Sequence, residues 1–427
     1  MASFMSADRL RFIINRFRER LWVKPLAVCL LSIAAVFIAK LADGSALAEL
    51  APEIAVDSIK KLLSIMSASM LVIATFSVTS MVSAYASASS TATPRSFTLV
   101  VADDASQNAL STFVGAFIFS VVGITAVTNN YFDTAGLFVL FALTIMVFGI
   151  VIMTFVRWVD RIARLGRMGS TIDKVELATA AALKRRQNAP RLCGVQVGAE
   201  PSGQAVFTER VGYVQHIDTA ALQQWAEEAD ARLVVMALPG SLAAPGQPLA
   251  YIRDKQDKNV DIDPQCVIKA FQIGRHRLFD DDPRFGLVVL SEIASRALSP
   301  AVNDPGTAIN VVGTLLRLLA EWGQPNTAED NDLPQYDRVE VPEVTVRQMF
   351  DDAFTAIGRD GAAMVEVSVR LQKALHSLAS TGDAGMSDAA KYHGRLALKR
   401  AEIALNVEED LEAVRGAAVF AALRASS

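Results

Sequence analysis

The sequence predicts a membrane α-helical protein with four transmembrane helices, followed by a cytoplasmic α+β region. Residues 25–156 contain four long apolar stretches, whereas the chain after Val156 contains none. An α-helix crosses a bilayer with roughly 20 apolar residues, and each stretch approaches or exceeds that length. Beyond Val156, short strand-like runs and then amphipathic helical patterns are typical of a soluble region.

The N-terminal arm, residues 1–24, is basic. Apolar residues recur between its arginines at near-helical spacing, which predicts an interfacial helix on an anionic membrane surface. A plain juxtamembrane stop signal explains the same charges more simply. The arm is too long and too charged for a cleavable signal peptide, so the first span is predicted to be a retained anchor. The basic residues are Arg9, Arg11, Arg16, Arg18, Arg20 and Lys24.

The transmembrane domain is predicted at residues 25–156, with spans at about 21–42, 62–88, 106–130 and 134–156. Basic residues flank the start of the first span and the end of the fourth. The positive-inside rule places both segments in the cytoplasm, and an even number of crossings agrees. The N- and C-termini are therefore expected on the cytoplasmic side.

The second span is unusual, because it is rich in serine, threonine and alanine and exceeds the length needed to cross. Four serines fall on one helical stripe. Such hydroxyls suit a pore-lining or central helix of an oligomer. Small-residue packing inside a four-helix unit, with each hydroxyl bonded to the backbone one turn earlier, is the alternative. The stripe consists of Ser69, Ser77, Ser80 and Ser87.

The soluble half divides into three predicted parts. Residues 157–189 form a juxtamembrane helix, and residues 190–262 form a small β-rich domain, read as a small β-barrel or sandwich from its short alternating runs. Residues 263–427 form a helical domain. Within it, residues 323–342 are predicted to be a loop, and residues 344–380 and 386–423 to form a long helical hairpin.

The first polar motif, residues 274–286, places arginines and a histidine beside three consecutive aspartates. Such a set can hold a metal, a phosphate or a transferred proton. Ion-pair networks and turns use the same residues, so a structural role is the competing interpretation. The candidate site residues are Arg275, His276, Arg277, Asp280 and Asp282.

The second polar motif, residues 299–308, lies between two predicted helices. Asp304 is placed as an N-cap, with Pro305 in the first helical position. Ser299 and Asn303 can satisfy carbonyls at the end of the preceding helix. The functional alternative is a polar floor for a ligand near a helix N-terminus. Ser299, Asn303 and Asp304 join the candidate site on that reading.

Composition limits the partners. The formal net charge of −4 argues against nucleic acid. Three cysteines and four histidines are scattered, so neither a metal site nor a cofactor is predicted. The expected partners are the lipid bilayer, further copies of the chain, and a possible cytoplasmic ligand or protein.

The second motif also carries a resemblance. Its residues Ser299-Pro300, Asn303-Asp304-Pro305 and Thr307-Ala308 resemble the signature of a bacterial family of predicted membrane proteins, domain of unknown function 2254. The resemblance implies four spans followed by a cytoplasmic domain, and it implies no known activity. The location expected for the chain is the bacterial inner membrane. Further agreeing segments are Ser89-Ser90, Thr93-Pro94-Arg95, Ala270-Phe271, Gly274-Arg275, Arg277, Asp282-Pro283 and Phe285-Gly286-Leu287.

Three hypotheses about function follow. The leading one is a homo-oligomeric, channel-like or transport-related protein with a cytoplasmic regulatory domain. The second is a membrane-anchored sensor or scaffold without a pore. The third is a membrane-bound enzyme that uses the Arg/His/Asp cluster, and it ranks last because no nucleophile or phosphate loop accompanies those residues.

Overall fold

The computed structural model describes residues 22–44, 51–91, 93–96, 99, 104–162, 168–198, 202–254, 264–324 and 334–422. They fall into two compact units, one within residues 11–171 and one within residues 172–427. The predicted interfacial arm lies outside the described residues as far as residue 21.

The four predicted spans are confirmed as four apolar helices long enough to cross a membrane. Two of them are longer than predicted. The second, α2, begins at Val56, and at 1.5 Å per residue its 36 residues extend about 54 Å, well beyond a hydrocarbon core of about 30 Å. The fourth, α4, continues past Val156 to Ile162. The helices are α1 Val23–Leu41, α2 Val56–Thr91, α3 Asp104–Thr128 and α4 Thr134–Ile162.

Helix α3 lies at the centre of this unit, since it packs against α1, α2 and α4 and is the most buried of the four spans. Small residues let its neighbours approach closely. A Cβ atom on Gly115 would overlap the Val28 side chain of α1, and one on Gly123 would lie 3.2 Å from Leu63 Cδ1 of α2. Close backbone approach of this kind is how membrane helices gain packing energy.

Helix α5, Met168–Asn188, begins just before residue 172 and forms the first element of the soluble unit, which continues into two β-sheets. The five-stranded sheet has the order β1-β8-β4-β6-β2, and the three-stranded sheet has the order β5-β3-β7. Leu222, Leu233, Leu249 and Val267 lie in their shared hydrophobic core. The strands are β1 Gly194–Val195, β2 Gln204–Phe207, β3 Gly212–Ile217, β4 Ala231–Val235, β5 Leu242–Ala243, β6 Pro248–Asp254, β7 Phe271–Gly274 and β8 Tyr336–Glu340.

The predicted barrel-like domain is wrong, because the sheets are not closed: each ends in edge strands. The predicted loop at 323–342 is also partly wrong, because β8 pairs in parallel with β4 and β1 inside the larger sheet. Three of the polar side chains of β8 have partners on neighbouring parts of the same unit. Asp337 accepts from Gln223, Arg338 pairs with Asp230, and Glu340 pairs with Arg253. Those partners are distant in sequence, so the polar pattern of β8 indicated a loop.

The remaining helices surround this core. Among them α8 lies between the two polar motifs and packs against α9 and α10. The helices are α6 Thr219–Glu228, α7 Gln265–Ala270, α8 Phe285–Ala297, α9 Pro305–Trp322, α10 Val346–Asp360, α11 Val365–Ala379, α12 Ala384–Ala404, α13 Glu408–Ala417 and α14 Val419–Ala422.

The predicted long helical hairpin is wrong as two continuous helices. The first breaks between α10 and α11 at Gly361, where a Cβ atom would lie 2.6 Å from Val367 Cγ1. The second breaks between α12 and α13 around Leu405. Breaking them lets α10 pack against both α8 and α12, while α11 packs against α9 and α12. Short helices can bury their apolar faces against several neighbours, whereas a single long hairpin would leave more of those faces exposed.

Candidate functional site

The two polar motifs lie at opposite ends of α8. Asp282 Oδ1 accepts a hydrogen bond from the Phe285 amide at 3.1 Å, at the start of the helix. The Asp304 amide donates to the Ala297 carbonyl at 2.8 Å, at its end. Thirteen helical residues separate these points, which corresponds to about 20 Å. Asp304 and the arginines of the first motif therefore cannot act as an acid–base pair, because such partners must lie within hydrogen-bonding distance of each other or of one shared water.

Asp282 organises the first motif. Its carboxylate accepts two hydrogen bonds from Arg277, at 2.7 Å from Nε and 3.0 Å from Nη2. It also accepts the backbone amides of Arg284 and Phe285 at 3.1 Å. The Asp282 side chain is only 3% exposed, so the ion pair is buried and bidentate. These contacts cap the start of α8 and fix the conformation of the preceding loop. The charges of Asp282 and Arg277 therefore have a structural role.

The same loop contacts α5 and a β-sheet. Arg185 Nε donates to the Asp280 carbonyl at 2.8 Å, and Arg186 Nη2 donates to the Asp281 carbonyl at 3.3 Å. The carboxylate of Asp281 lies 2.7 Å from Nδ1 of His216 on β3. Burial lowers the pKa of the Arg186 guanidinium, and the nearby carboxylates oppose that shift. Residues 275–284 are called the junction loop below.

The junction loop also contacts α10 and β3. Arg284 donates to Asp352 Oδ2 at 2.6 Å and to Gln348 Oε1 at 3.0 Å. Gln215 donates to the His276 carbonyl at 2.7 Å. The side chains of Arg275 and His276 themselves are exposed. The first polar motif thus joins four elements of the soluble unit, while the side chains of Arg275 and His276 point to solvent.

The second motif forms a capped turn. Asp304 Oδ1 accepts the Thr307 amide at 3.0 Å, and Oδ2 accepts the Thr307 hydroxyl at 2.5 Å. These hydrogen bonds hold the pKa of Asp304 below its ordinary value. Ser299 Oγ donates to the Arg296 carbonyl at 2.7 Å, and Asn303 takes the left-handed conformation at φ 50°. Each predicted residue therefore has a local backbone role.

The serines of the predicted stripe on α2 differ in burial. Ser77 is fully buried, and its hydroxyl donates to the Ile73 carbonyl at 2.8 Å. Ser80 is half-buried and Ser69 is exposed. Eight residues at 100° each place Ser69 about 80° from Ser77. The Ser87 side chain lies outside the described residues. The buried face consists of Leu63, Met66, Met70, Ala74, Ser77 and Met81.

Sequence reasoning missed an ion-pair cluster where α1 ends and α4 begins. Lys40 Nζ lies 3.2 Å from both Asp43 Oδ2 and Asp133 Oδ2. Asp43 in turn accepts the amides of Asp133 and Gly136, so it caps α4 from another helix. The spacing of Lys40 and Asp43, with Asp133 just before a helix start, was the available signal.

A buried histidine was also missed. His393 of α12 is 3% exposed, and its Nε2 lies 3.0 Å from Asp351 Oδ1 of α10. His393 and Asp351 are 42 residues apart in the sequence, so no local motif could indicate that they pair. Among the described residues no group of three metal-ligating side chains is present.

The four apolar helices, each long enough to cross a membrane, and the α+β half that follows them are features of a multi-span membrane protein. A family model described as predicted membrane protein, DUF2254, matches residues 18–377. The chain belongs to this family, as its sequence signature indicated.

Mycobacterial relatives are similar over part of the chain. The uncharacterized proteins MT1328 of Mycobacterium tuberculosis and Mb1321c of Mycobacterium bovis are 30% identical over 153 residues. This alignment covers 34% of the chain and 29% of either relative, so the chain spans less than a third of their length. No solved structure matches.

Proposed function

We propose that this protein is a homo-oligomeric, channel-like protein of the bacterial inner membrane, with a cytoplasmic half that regulates it. The observation that carries the proposal is a line of hydroxyl and small residues on the exposed face of α2. Ser64, Ala68, Thr75 and Thr79 are all exposed in the single chain. We call these four residues the α2 exposed line.

The chemistry of this line suits contact between copies along a polar path. Thr75 and Thr79 donate their hydroxyls to the Leu71 and Thr75 carbonyls at 2.9 and 3.1 Å. A satisfied hydroxyl tolerates an apolar neighbour and retains lone pairs that can accept from water or a solute. The small side chains also permit close helix approach.

The interior of the single bundle supports placing a path between copies. Phe113, Phe119 and Leu140 are at most 1% exposed and fill the space around α3. Aromatic packing continues at Trp158, whose ring lies 6.2 Å from that of Phe113. A path through the described part of one bundle would have to displace these side chains.

The orientation follows from charge and connectivity. Arg157 and Arg161 are exposed at the end of α4, which the positive-inside rule assigns to the cytoplasm. Lys40, Asp43 and Asp133 cluster at the opposite end of that helix, where two carboxylates offset the single basic charge. The soluble unit after α4 is then cytoplasmic.

Flux measurements in lipid vesicles test the proposal. We expect the purified full-length protein to pass potassium or chloride, and Thr79→Leu to change that flux several-fold. Val78→Leu is the matched control, because Val78 is also exposed, is adjacent in sequence, and is already apolar. Flux no greater than in empty vesicles, or a single-chain particle in nanodiscs by mass photometry, would refute the proposal.

The second candidate is a membrane-anchored sensor or scaffold without a pore. The anchoring of α5 favours it, because Arg185 and Arg186 tie the helix that follows the last span to the junction loop. Glu176 of the same helix binds Arg317 through two hydrogen bonds of 2.7 Å. An oligomer with a sealed, lipid-filled centre and no flux would support this candidate over the channel.

A further inference from the structure

His393 is enclosed by apolar and aromatic groups. The rings of Phe350 and Phe354 on α10 lie 5.9 and 6.5 Å from its imidazole, and the ring of Tyr392 lies 5.3 Å away. The imidazole is 3% exposed. Among the described residues its imidazole Nε2 lies within hydrogen-bonding distance of Asp351, a carboxylate that is 51% exposed. The histidine thus sits in the contact between α10 and α12.

Charged groups approach this histidine from two helices. On α10, Asp351 attracts a proton to the imidazole, while Arg347 repels one and stacks 3.2 Å from the centre of the Tyr392 ring. On α12 itself, Arg400 also repels a proton. From α11 and α14, the residues that reach this part of α12, at Gly394, are the neutral Gln372 and Phe420.

We propose that His393 is an acid-responsive joint, at which protonation of the imidazole loosens the packing of α10 against α12. With Nε2–H donating to Asp351, the added proton goes to Nδ1. That proton creates a charge beside Phe350 and Phe354, where little water is available to solvate it. Protonation therefore favours arrangements in which His393 reaches water. This device does not depend on the proposed transport role.

The direction of the pH effect follows from linkage. Burial lowers the pKa of His393 in the folded state, and the attraction of Asp351 only partly offsets this. A histidine with a lowered folded pKa stabilises the contact at pH values above its ordinary pKa of about 6.5. That stabilisation is lost as the pH falls below this value. The contact should therefore be tight at neutral pH and weaken in acid.

Hydrogen exchange of the full-length protein in nanodiscs tests the joint. After correction for intrinsic exchange, we expect amides of α10 and α12 to lose protection several-fold between pH 7.5 and about 5.5, within the titration range of histidine. His393→Gln should abolish the pH dependence. Asp351→Asn should enlarge it, because losing the carboxylate lowers the folded pKa further.

His376→Gln is the matched control. His376 lies on α11 in the same unit, but it is exposed and stacks on Phe420 with 5.0 Å between ring centres. We expect this variant to keep the wild-type response. If His393→Gln fails to fold, Arg347→Met provides the test: it should weaken the response by removing a repulsive charge. Unchanged wild-type protection in acid, or an equal loss of protection in His393→Gln, would overturn the proposal.

Discussion

Single residues of the two polar motifs show how similar charges take different structural roles. Asp282 is buried and holds Arg277 together with the first amides of α8. Asp304 is exposed and caps α9 through the amide and the hydroxyl of Thr307. A capping role for Asp304 could be predicted, because an N-cap needs only its neighbours. The pairing of Asp282 with Arg277 also lies within five residues, but its burial depends on the packing of the whole unit.

We expect Asp282→Asn to destabilise the soluble unit strongly. Removing one partner of a buried ion pair leaves Arg277 uncompensated, which costs about 3–5 kcal/mol. For a unit of this size, that loss lowers the thermal midpoint by about 10 °C. Differential scanning fluorimetry of the full-length protein in detergent measures it.

Asp304→Asn is the control for this variant. Asparagine caps helices about as well as aspartate, so the midpoint should move by less than about 2 °C. Equal shifts for the two variants would show that Asp282 contributes no more than an ordinary cap.

At the scale of elements, α3 organises the membrane unit through small residues. Gly115 admits α1 and Gly123 admits α2, while the long apolar side chains of the other helices surround them. The apolar composition of α3 could be read from the sequence, but its central position could not. Any helix of adequate length can occupy the centre, and only the mutual fit of four surfaces selects one.

We expect Gly115→Val to separate α1 from α3. The new side chain would overlap Val28, and overpacking of this kind costs roughly 1–3 kcal/mol. Thermal unfolding in detergent should show a lowered midpoint.

Gly149→Val is the comparison for that variant. A Cβ atom on Gly149 meets nothing within 4 Å, and the residue is exposed on α4, another membrane helix. It should leave the midpoint near the wild-type value. A similar loss in both variants would mean that valine disfavours these helices for reasons other than contact with α1.

At the scale of the whole molecule, the chain contains a membrane unit followed in sequence by a soluble unit. In the proposed orientation, which rests on an even number of crossings and the basic residues after α4, the soluble unit lies in the cytoplasm. A natural probe for this orientation is Cys266, which is exposed, whereas Cys29 and Cys193 are half-buried.

We expect a membrane-impermeant maleimide to label Cys266 in inverted vesicles and not in intact spheroplasts, in a variant with Cys29→Ala and Cys193→Ala. The reason is that the bilayer excludes a charged reagent from the cytoplasmic face. Thr128→Cys, placed at the exposed end of α3 with Cys266→Ser, should show the opposite pattern. Labelling of Cys266 in intact spheroplasts would show that the topology is the reverse of the proposed one.

The sequence by itself determined the features that depend on local composition. Four apolar stretches suffice to predict four spans, because lipid requires each crossing segment to be long, apolar and helical. The cap at Asp304 needs only the next three residues. Only the tertiary structure decided features that depend on distant partners: the central place of α3, the strand at Tyr336–Glu340, and the pairing of His393 with Asp351. Such pairings form because folding brings together surfaces that are complementary in three dimensions. A sequence pattern shows which residues of an element are apolar or charged, but it does not show which distant element they will contact.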